Sequence, residues 1–313
     1  MCTTRKGIHE RRETQMRTQR FGIEIEMTGL TRAEAAEVVA RALWAESLVH
    51  MGGSYDAYHI LDPEGRTWKI VSDSSIEAQK MYDKTRLFAN TEYRVELVSP
   101  ILTYKDIEPL QEIIRELREA GAITNSTCGI HIHIDAAPHT PNTLKNLVNL
   151  VASKEDLLYK ALQIDYDRIK YCKKLNEQLI QTINKKKLKT LNELADIWYQ
   201  GYGAQDRTRH YHQSRYHGLN LHSTFTKGTI EFRLFNSTTH AGKIKAYIQF
   251  CLALSHQALT QKKASARRTY TDNEKYTFRC WMLRLGLNGD EFKTCRYHFL
   301  GKLSGNSAWR NAA

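Results

Sequence analysis

Four short stretches of the chain alternate apolar and polar residues with the two-residue period of a half-buried strand. In RFGIEIEMTG (20–29), Phe21, Ile23, Ile25 and Met27 fall on one side, Glu24 and Glu26 on the other. YRVELVSP (93–100) sets Val95 and Leu97 against Arg94 and Glu96 and ends at Pro100. GIHIHID (129–135) opposes three isoleucines to His131, His133 and Asp135, and GTIEFRLF (228–235) opposes Ile230, Phe232 and Leu234 to Glu231 and Arg233. TWKIV (67–71) reads as a further strand, and RYHGLNLHS (215–223) as the hairpin partner of 228–235.

Helical periods separate these strands. Thr31 and Glu34 form a capping-box pattern that opens a helix running to about Trp44. DIEPLQEIIRELREAGA (106–122) is amphipathic and closed by Gly121. Thr140 and Pro141 start another helix, on which Leu144, Leu147, Val148 and Val151 share a face. Basic helical segments are expected over 154–200 and a helix over 242–260, while 48–75 reads as turn-rich. The mixture predicts an α+β fold. The expected organisation is a basic arm (1–19), a catalytic domain (20–260) with a basic helical insertion at about 155–212, and a helical extension (261–313).

Composition narrows the function classes. At 313 residues with 41% hydrophobic and 26% charged content, the chain reads as globular. No apolar run approaches the ~20 residues of a membrane span, and no apolar stretch follows MCTTRKGIHERRETQMRTQR as a secretory signal requires. The expectation is a cytoplasmic protein. Six scattered cysteines without a C-x-x-C pair fit reduced thiols rather than a zinc or disulfide framework. The net charge of +12 gathers in the N-terminal arm, in 173–189 and in 262–268, and suggests polyanionic partners. Nucleic acid is the partner that charge alone would name, although only YDRIKYCKK (166–174) interleaves tyrosine with basic residues.

The polar faces of the four strands carry carboxylates, imidazoles and arginine instead of the Lys, Thr, Ser and Gln usual on a solvated face. These groups bind divalent cations and phosphates. E-x-E or H-x-H alone occurs in ordinary strands. Four together, in one sheet, would make an acidic floor whose repulsion bound cations offset.

FGIEIE, WKIVSDSS (68–75), ELVSP, CGIHIH and TIEFR, in this order, resemble the amidoligase family, relatives of glutamine synthetase and glutamate–cysteine ligase. The resemblance spans about residues 20–260, and 155–210 carries no motif of it. It implies a glutamine synthetase-like catalytic fold, a curved, mainly antiparallel sheet with helices packed on one face. The concave face of that fold holds ATP and two or three Mg²⁺ ions, with Mn²⁺ as a substitute. By this resemblance Glu24, Glu26, Glu96, His131 and Glu231 are metal ligands, His133 lies by the phosphates, and Arg233 stabilises the transferred phosphoryl group. Arg215 and Asn220 would contact nucleotide or substrate. Asp73 matches the aspartate of an Asp-Gly-Ser turn and a base role, but the run here is Asp73-Ser74-Ser75, without the glycine.

The implied activity is an ATP-dependent carboxylate–amine ligation through an acyl phosphate. Its substrates would be an amino acid, peptide or other carboxylate plus an amine. No G-x-x-x-x-G-K-[ST] loop is present to cradle phosphates, so metals and arginines would hold them. A minor alternative is a zinc hydrolase, since HIHID begins an H-x-H-x-D-H run, but position 136 is Ala.

Overall fold

The computed structural model describes residues 15–203 and 206–309. Residues 1–14 of the expected basic arm lie outside them. In chain order the elements begin with β1 (Phe21–Met27), α1 (Arg32–Leu43), β2 (Ser47–Gly52), β3 (Ala57–Leu61), β4 (Thr67–Val71), β5 (Gln79–Tyr82) and β6 (Thr85–Phe88). Next come β7 (Val95–Val98), α2 (Ile107–Glu119), β8 (Gly129–Asp135), α3 (Pro141–Ala152), α4 (Glu155–Leu162), α5 (Tyr166–Ile169), α6 (Glu177–Lys185) and α7 (Leu191–Trp198). The last are β9 (Leu219–Asn220), α8 (His222–Lys227), β10 (Thr229–Asn236), α9 (Ala241–Thr260), α10 (Glu274–Arg284) and α11 (Lys293–Leu300).

Eight strands form one sheet in the order β2-β3-β4-β7-β1-β8-β10-β9, and β5–β6 is a separate hairpin. Every pairing is antiparallel. The alternation seen in sequence sets the two faces. Ile23, Ile25, Val95, Leu97, Ile130, Ile132, Ile134 and Phe232 are all buried, and α1, α2, α3 and α9 complete the core with them. Each such side chain contributes roughly 1.5–3 kcal/mol on burial. This is the expected α+β class, a largely antiparallel sheet with helices packed on one face. Helices α10 and α11 pack on α9 through Phe250, Phe278, Trp281 and Phe299.

Three local readings need correction. Residues 215–223 are not a strand arm: only Leu219 and Asn220 pair with β10. Oδ1 of Asn220 accepts the N–H of His222 at 2.8 Å and turns the chain into α8, which Gly228 closes at φ 71°. His222 therefore does not share a strand face with Asn220. The strand of 93–100 is shorter than expected, because Asn90 caps a 3₁₀ turn over Thr91–Tyr93. The turn-rich 48–75 contains β2 and β3, since an exposed edge strand needs no apolar alternation. Finally, β10 carries an irregularity between Phe232 and Phe235 that sets Phe235 opposite Ile130 and stacks it on Tyr247.

Candidate active site on the polar face of the sheet

The second face of the sheet collects the charged residues. The register sets Glu24 opposite His131, Glu26 opposite Glu96 and Glu231 opposite both His133 and Asn220. One contiguous floor results. Nδ1 of His131 lies 3.0 Å from Glu24 Oε2 and 3.8 Å from Glu231 Oε1, while its Nε2 lies 3.7 Å from Glu26 Oε1. Nε2 of His133 lies 3.4 Å from Glu24 and 3.8 Å from Glu231, and its Nδ1 meets Thr229 Oγ1 at 2.9 Å. Arg233 donates to Glu231 Oε1 at 2.5 Å, and Asn220 donates to Oε2 at 2.6 Å. Backbone N–H of Gly129 reaches Glu26 Oε2 at 2.6 Å.

Electrostatics divide the carboxylates. Burial pushes Glu26 up to about 7, against the pull of Arg168 and with the push of Asp73. Burial, then Glu24 and Glu26, hold Glu96 well above the usual range. Burial acts on Glu24 and Glu231 too, but is outweighed by His133 and His131 at Glu24, and by Arg233 with both histidines at Glu231. Both stay well below the usual range. His131, buried and beside Arg233, falls to about 4. A neutral His131 that donates from Nδ1 to Glu24 keeps a lone pair on Nε2, toward Glu26.

Glu24, His131 and Glu231 form one set of converging donors; Glu26, Glu96 and His131 form another. Two carboxylates with one imidazole suit a divalent cation. Burial acts to lower His133, but Glu24 and Glu231 outweigh it and raise it, so its Nε2, 3.4 Å from Glu24, stands on this floor as a proton-bearing group. The residues present thus fit the cations that the sequence pattern implies.

The remaining candidates lie around the floor. Asp73 stands in the loop after β4, accepts the Ser75 N–H at 2.6 Å, and is near enough to raise Glu26 and Glu96. Arg215 lies against Tyr211 and Tyr216 and donates to His210 O at 3.1 Å, rather than to a floor carboxylate. Asn220 has both ends of its amide engaged, by Glu231 and by the His222 N–H. The H-x-H-x-D set of a zinc hydrolase is not assembled, because Asp135 pairs with Arg20 at 2.6 Å. Cys128 is buried with its thiol pushed up to about 12, mainly by that burial, and is no nucleophile.

Sequence reasoning missed three contributors. Arg168, from α5, lies 3.9 Å from Glu26. Tyr211 meets Tyr55 of the β2–β3 turn at 3.5 Å, where the 206–216 loop brings His210 within electrostatic range of Glu24 and Glu231. A cavity of about 550 Å³ opens beside His133, lined by Gly22, Lys69, Val98, Ile101 and Lys227. The strand period at position 22 would have pointed to it, since Gly22 occupies a polar-face position and leaves it empty.

Comparisons with known proteins complete the description. A family model described as "Putative amidoligase enzyme" matches residues 17–255. Among solved structures the chain is similar to the crystal structure of a bifunctional glutathione synthetase from Pasteurella multocida, with 12% identity and a TM-score of 0.44. The similarity covers 94% of this chain and 48% of that one, so the chain spans about half the length of that protein. No curated protein gives a significant sequence match.

Proposed function

This chain belongs to the amidoligase family, and from that premise we propose that it is an ATP- and Mg²⁺-dependent carboxylate–amine ligase acting through an acyl phosphate. The observation that carries this reading is the convergence of Glu24, Glu26, Glu96, His131, His133, Glu231 and Arg233, from four adjacent strands, on one buried floor. A carboxylate acylates an amine only after its oxygen becomes a leaving group. Transfer of the γ-phosphoryl of ATP to that oxygen makes one, and the amine then displaces phosphate.

Glu24 with Glu231, and Glu26 with Glu96, would hold the divalent cations, His131 giving its one lone pair to one of them. When bound, these neutralise phosphate oxygens and supply the electrostatic stabilisation that a Walker loop supplies elsewhere. Arg233, fixed by its bond to Glu231, presents the remaining face of its guanidinium to charge on the moving phosphoryl group. Asn220 orients Glu231. His133 faces the cavity beside it, where Lys69 and Lys227 suit a triphosphate and Val98 and Ile101 an apolar ring. Asp73, whose charge reaches Glu26, would take a proton from an incoming amine. The proposed catalytic unit is 20–260, with 155–212 as a helical insertion and 261–313 as an extension. Amino acids, peptides or other carboxylates and an amine are the proposed substrate classes.

The test is mass spectrometry of carboxylate and amine mixtures incubated with protein, ATP and Mg²⁺. The reading expects products lighter than the summed substrates by one water, with matching release of orthophosphate. Tightly bound zinc with hydrolysis independent of ATP would overturn it.

A further inference from the structure

Two of the basic runs, 173–189 and 262–268, are far apart along the chain, yet the fold brings them to one groove. Asn146 and Asn149 of α3 make the junction. Asn146 donates to the Gln261 carbonyl at 2.7 Å and accepts from the Ala264 N–H at 3.0 Å, while Asn149 donates to the Ala264 carbonyl at 3.1 Å. Asn149 also exchanges amide hydrogen bonds with Asn184 of α6, at 2.9 and 2.7 Å. The segment after α9 is thereby pinned along α3 beside α6. Between them lies a cavity of about 610 Å³, with Ile180, Gln181 and Asn184 on one wall and Lys263, Ser265 and Arg267 on the other.

The charge here is one-sided. Lys185, Lys186, Lys187, Lys262, Lys263 and Arg267 are exposed, and among the described residues none of them pairs with a carboxylate. Glu177, the acidic residue of the lining, lies 3.6 Å from Arg268. Lys145 donates to the carbonyls of Asn184 and Lys186, and burial, then the charge of Lys263, lowers it. Like charges gathered in this way raise the energy of the bare protein, and a bound polyanion offsets that cost. Among the described residues no aromatic side chain lines the groove, and its apolar part is Ile180 with Ala264 and Ala266. A protein surface is held mainly by buried aromatic or arginine anchors seated in pockets. A phosphodiester backbone needs only cations and hydrogen-bond donors, and Gln181, Asn184 and Ser265 add uncharged donors to the lysines.

We propose that this groove binds nucleic acid through its phosphate backbone, without reading sequence. It stands apart from the catalytic floor, because α3 packs in the core on the other face of the sheet.

Fluorescence anisotropy of short labelled DNA duplexes, titrated with the full-length protein at several salt concentrations, tests this. Two duplexes of unrelated sequence should bind alike, and log affinity should fall linearly with log salt. The triple variant Lys262→Gln, Lys263→Gln, Arg267→Gln should weaken binding about tenfold or more and flatten that slope by roughly two to three. Lys80→Gln, Lys84→Gln, Lys302→Gln removes the same charge at exposed positions elsewhere and should change both far less. All six side chains are exposed, so both variants should melt as wild type does. Absence of binding, or equal weakening in the two variants, overturns the site. So does a marked preference for one duplex sequence. A labelled polyglutamate that binds more tightly than the duplexes, and is lost in the first variant, would give the groove to an acidic protein instead.

Discussion

Glu26 and Glu96 stand directly opposite each other across the antiparallel pair of β1 and β7. Two like charges in that position destabilise a sheet, and both carboxyls are pushed up, first by burial and then by their charged neighbours, Glu26 to about 7. The free site therefore keeps protons that a cation must displace. Mn²⁺ binding at Glu26 and Glu96 should release at least a fraction of a proton near pH 7 and weaken several-fold per unit as pH falls below 7. Calorimetry in two buffers of different ionisation enthalpy measures the release. Identical heats in both would remove the raised carboxyls from the site.

The same shift makes a stability prediction. The folded value of Glu26, about 7, exceeds its ordinary 4.5, so the folded state binds more protons between these limits. Stability is lost as pH rises through that window. In chelator, Glu26→Gln should raise Tm at pH 8, by a gain on the order of 3 kcal/mol at most, and the gain should vanish at pH 4. Added Mn²⁺ should stabilise wild type more than the variant. Equal melting of the two at pH 8 would show that Glu26 carries no such cost.

Much of this site was legible in the sequence because it lies on central strands. Glu24, Glu26, His131 and Glu231 alternate with isoleucines and Phe232 that have nowhere to go but the core, so the period itself assigns their face. Arg168 was not legible. It lies on a four-residue helix in a run whose charges read as surface, and only the tertiary fold carries it to Gly129. Asn220 looked like a ligand contact, but its partner, Glu231, is a cross-strand neighbour that only the register reveals. Strand β2 lacks alternation because neither of its faces is buried. The β5–β6 hairpin escaped notice because its turn uses Asp83 and Lys84 at φ 42° and 65° in place of glycine.

Glu24→Gln and Glu231→Gln should each lower ATP-dependent amide formation by about 10²-fold or more, since each removes a charge from a set that would hold a cation. Fold should survive in Glu24→Gln, whose amide oxygen still accepts from His131, whereas Glu231→Gln offers one acceptor to two donors, Asn220 and Arg233, and should also lower Tm. Arg233 is different. Its removal leaves Glu231 buried without its closest cation, at a cost of about 3–5 kcal/mol, so Arg233→Lys is the better probe of transfer. Circular dichroism beside product assays separates the effects, and full turnover in Glu231→Gln would remove that residue from the mechanism.

Two glycines on the floor should respond in opposite ways. Alanine at Gly129 puts Cβ 1.5 Å from the Arg168 guanidinium, which is buried and bonded to the Arg233 carbonyl, so Gly129→Ala should cost roughly 1–3 kcal/mol or more and lower Tm by several degrees. Alanine at Gly22 meets nothing nearer than 3.9 Å and should leave Tm nearly unchanged. It narrows the cavity beside His133 instead, and KM for ATP should rise at constant carboxylate KM. A rise in carboxylate KM alone would exchange the two substrate ends of the floor.

The loop 206–216 is held near this floor by buried aromatic contacts beside one exposed ion pair, Arg207 to Asp196 at 2.6 Å. Tyr199 Oη meets Nδ1 of His222 at 2.7 Å, His222 Nε2 meets the Arg209 carbonyl at 3.1 Å, and His212 stacks on His222 with ring centroids 5.3 Å apart. Burial, and then the neighbouring His212, lowers His222 to about 4; burial, and then Arg207, also lowers His212. A histidine depressed on folding binds fewer protons folded than unfolded, so the anchor is at full strength above about pH 6.5 and weakens as pH falls toward 4. Protonation would leave two stacked imidazolium rings beside Arg207 and Arg209, with Asp206 and Glu231 as the acidic groups within range. Amide hydrogen exchange over 206–216, corrected for its intrinsic pH dependence, should therefore lose protection between pH 7 and pH 5. His222→Phe keeps a ring there without a titrating nitrogen and should flatten that pH dependence, whereas Tyr199→Phe should loosen the loop at both values while keeping the slope. An unchanged slope in His222→Phe would show that the loop is held by something other than this histidine.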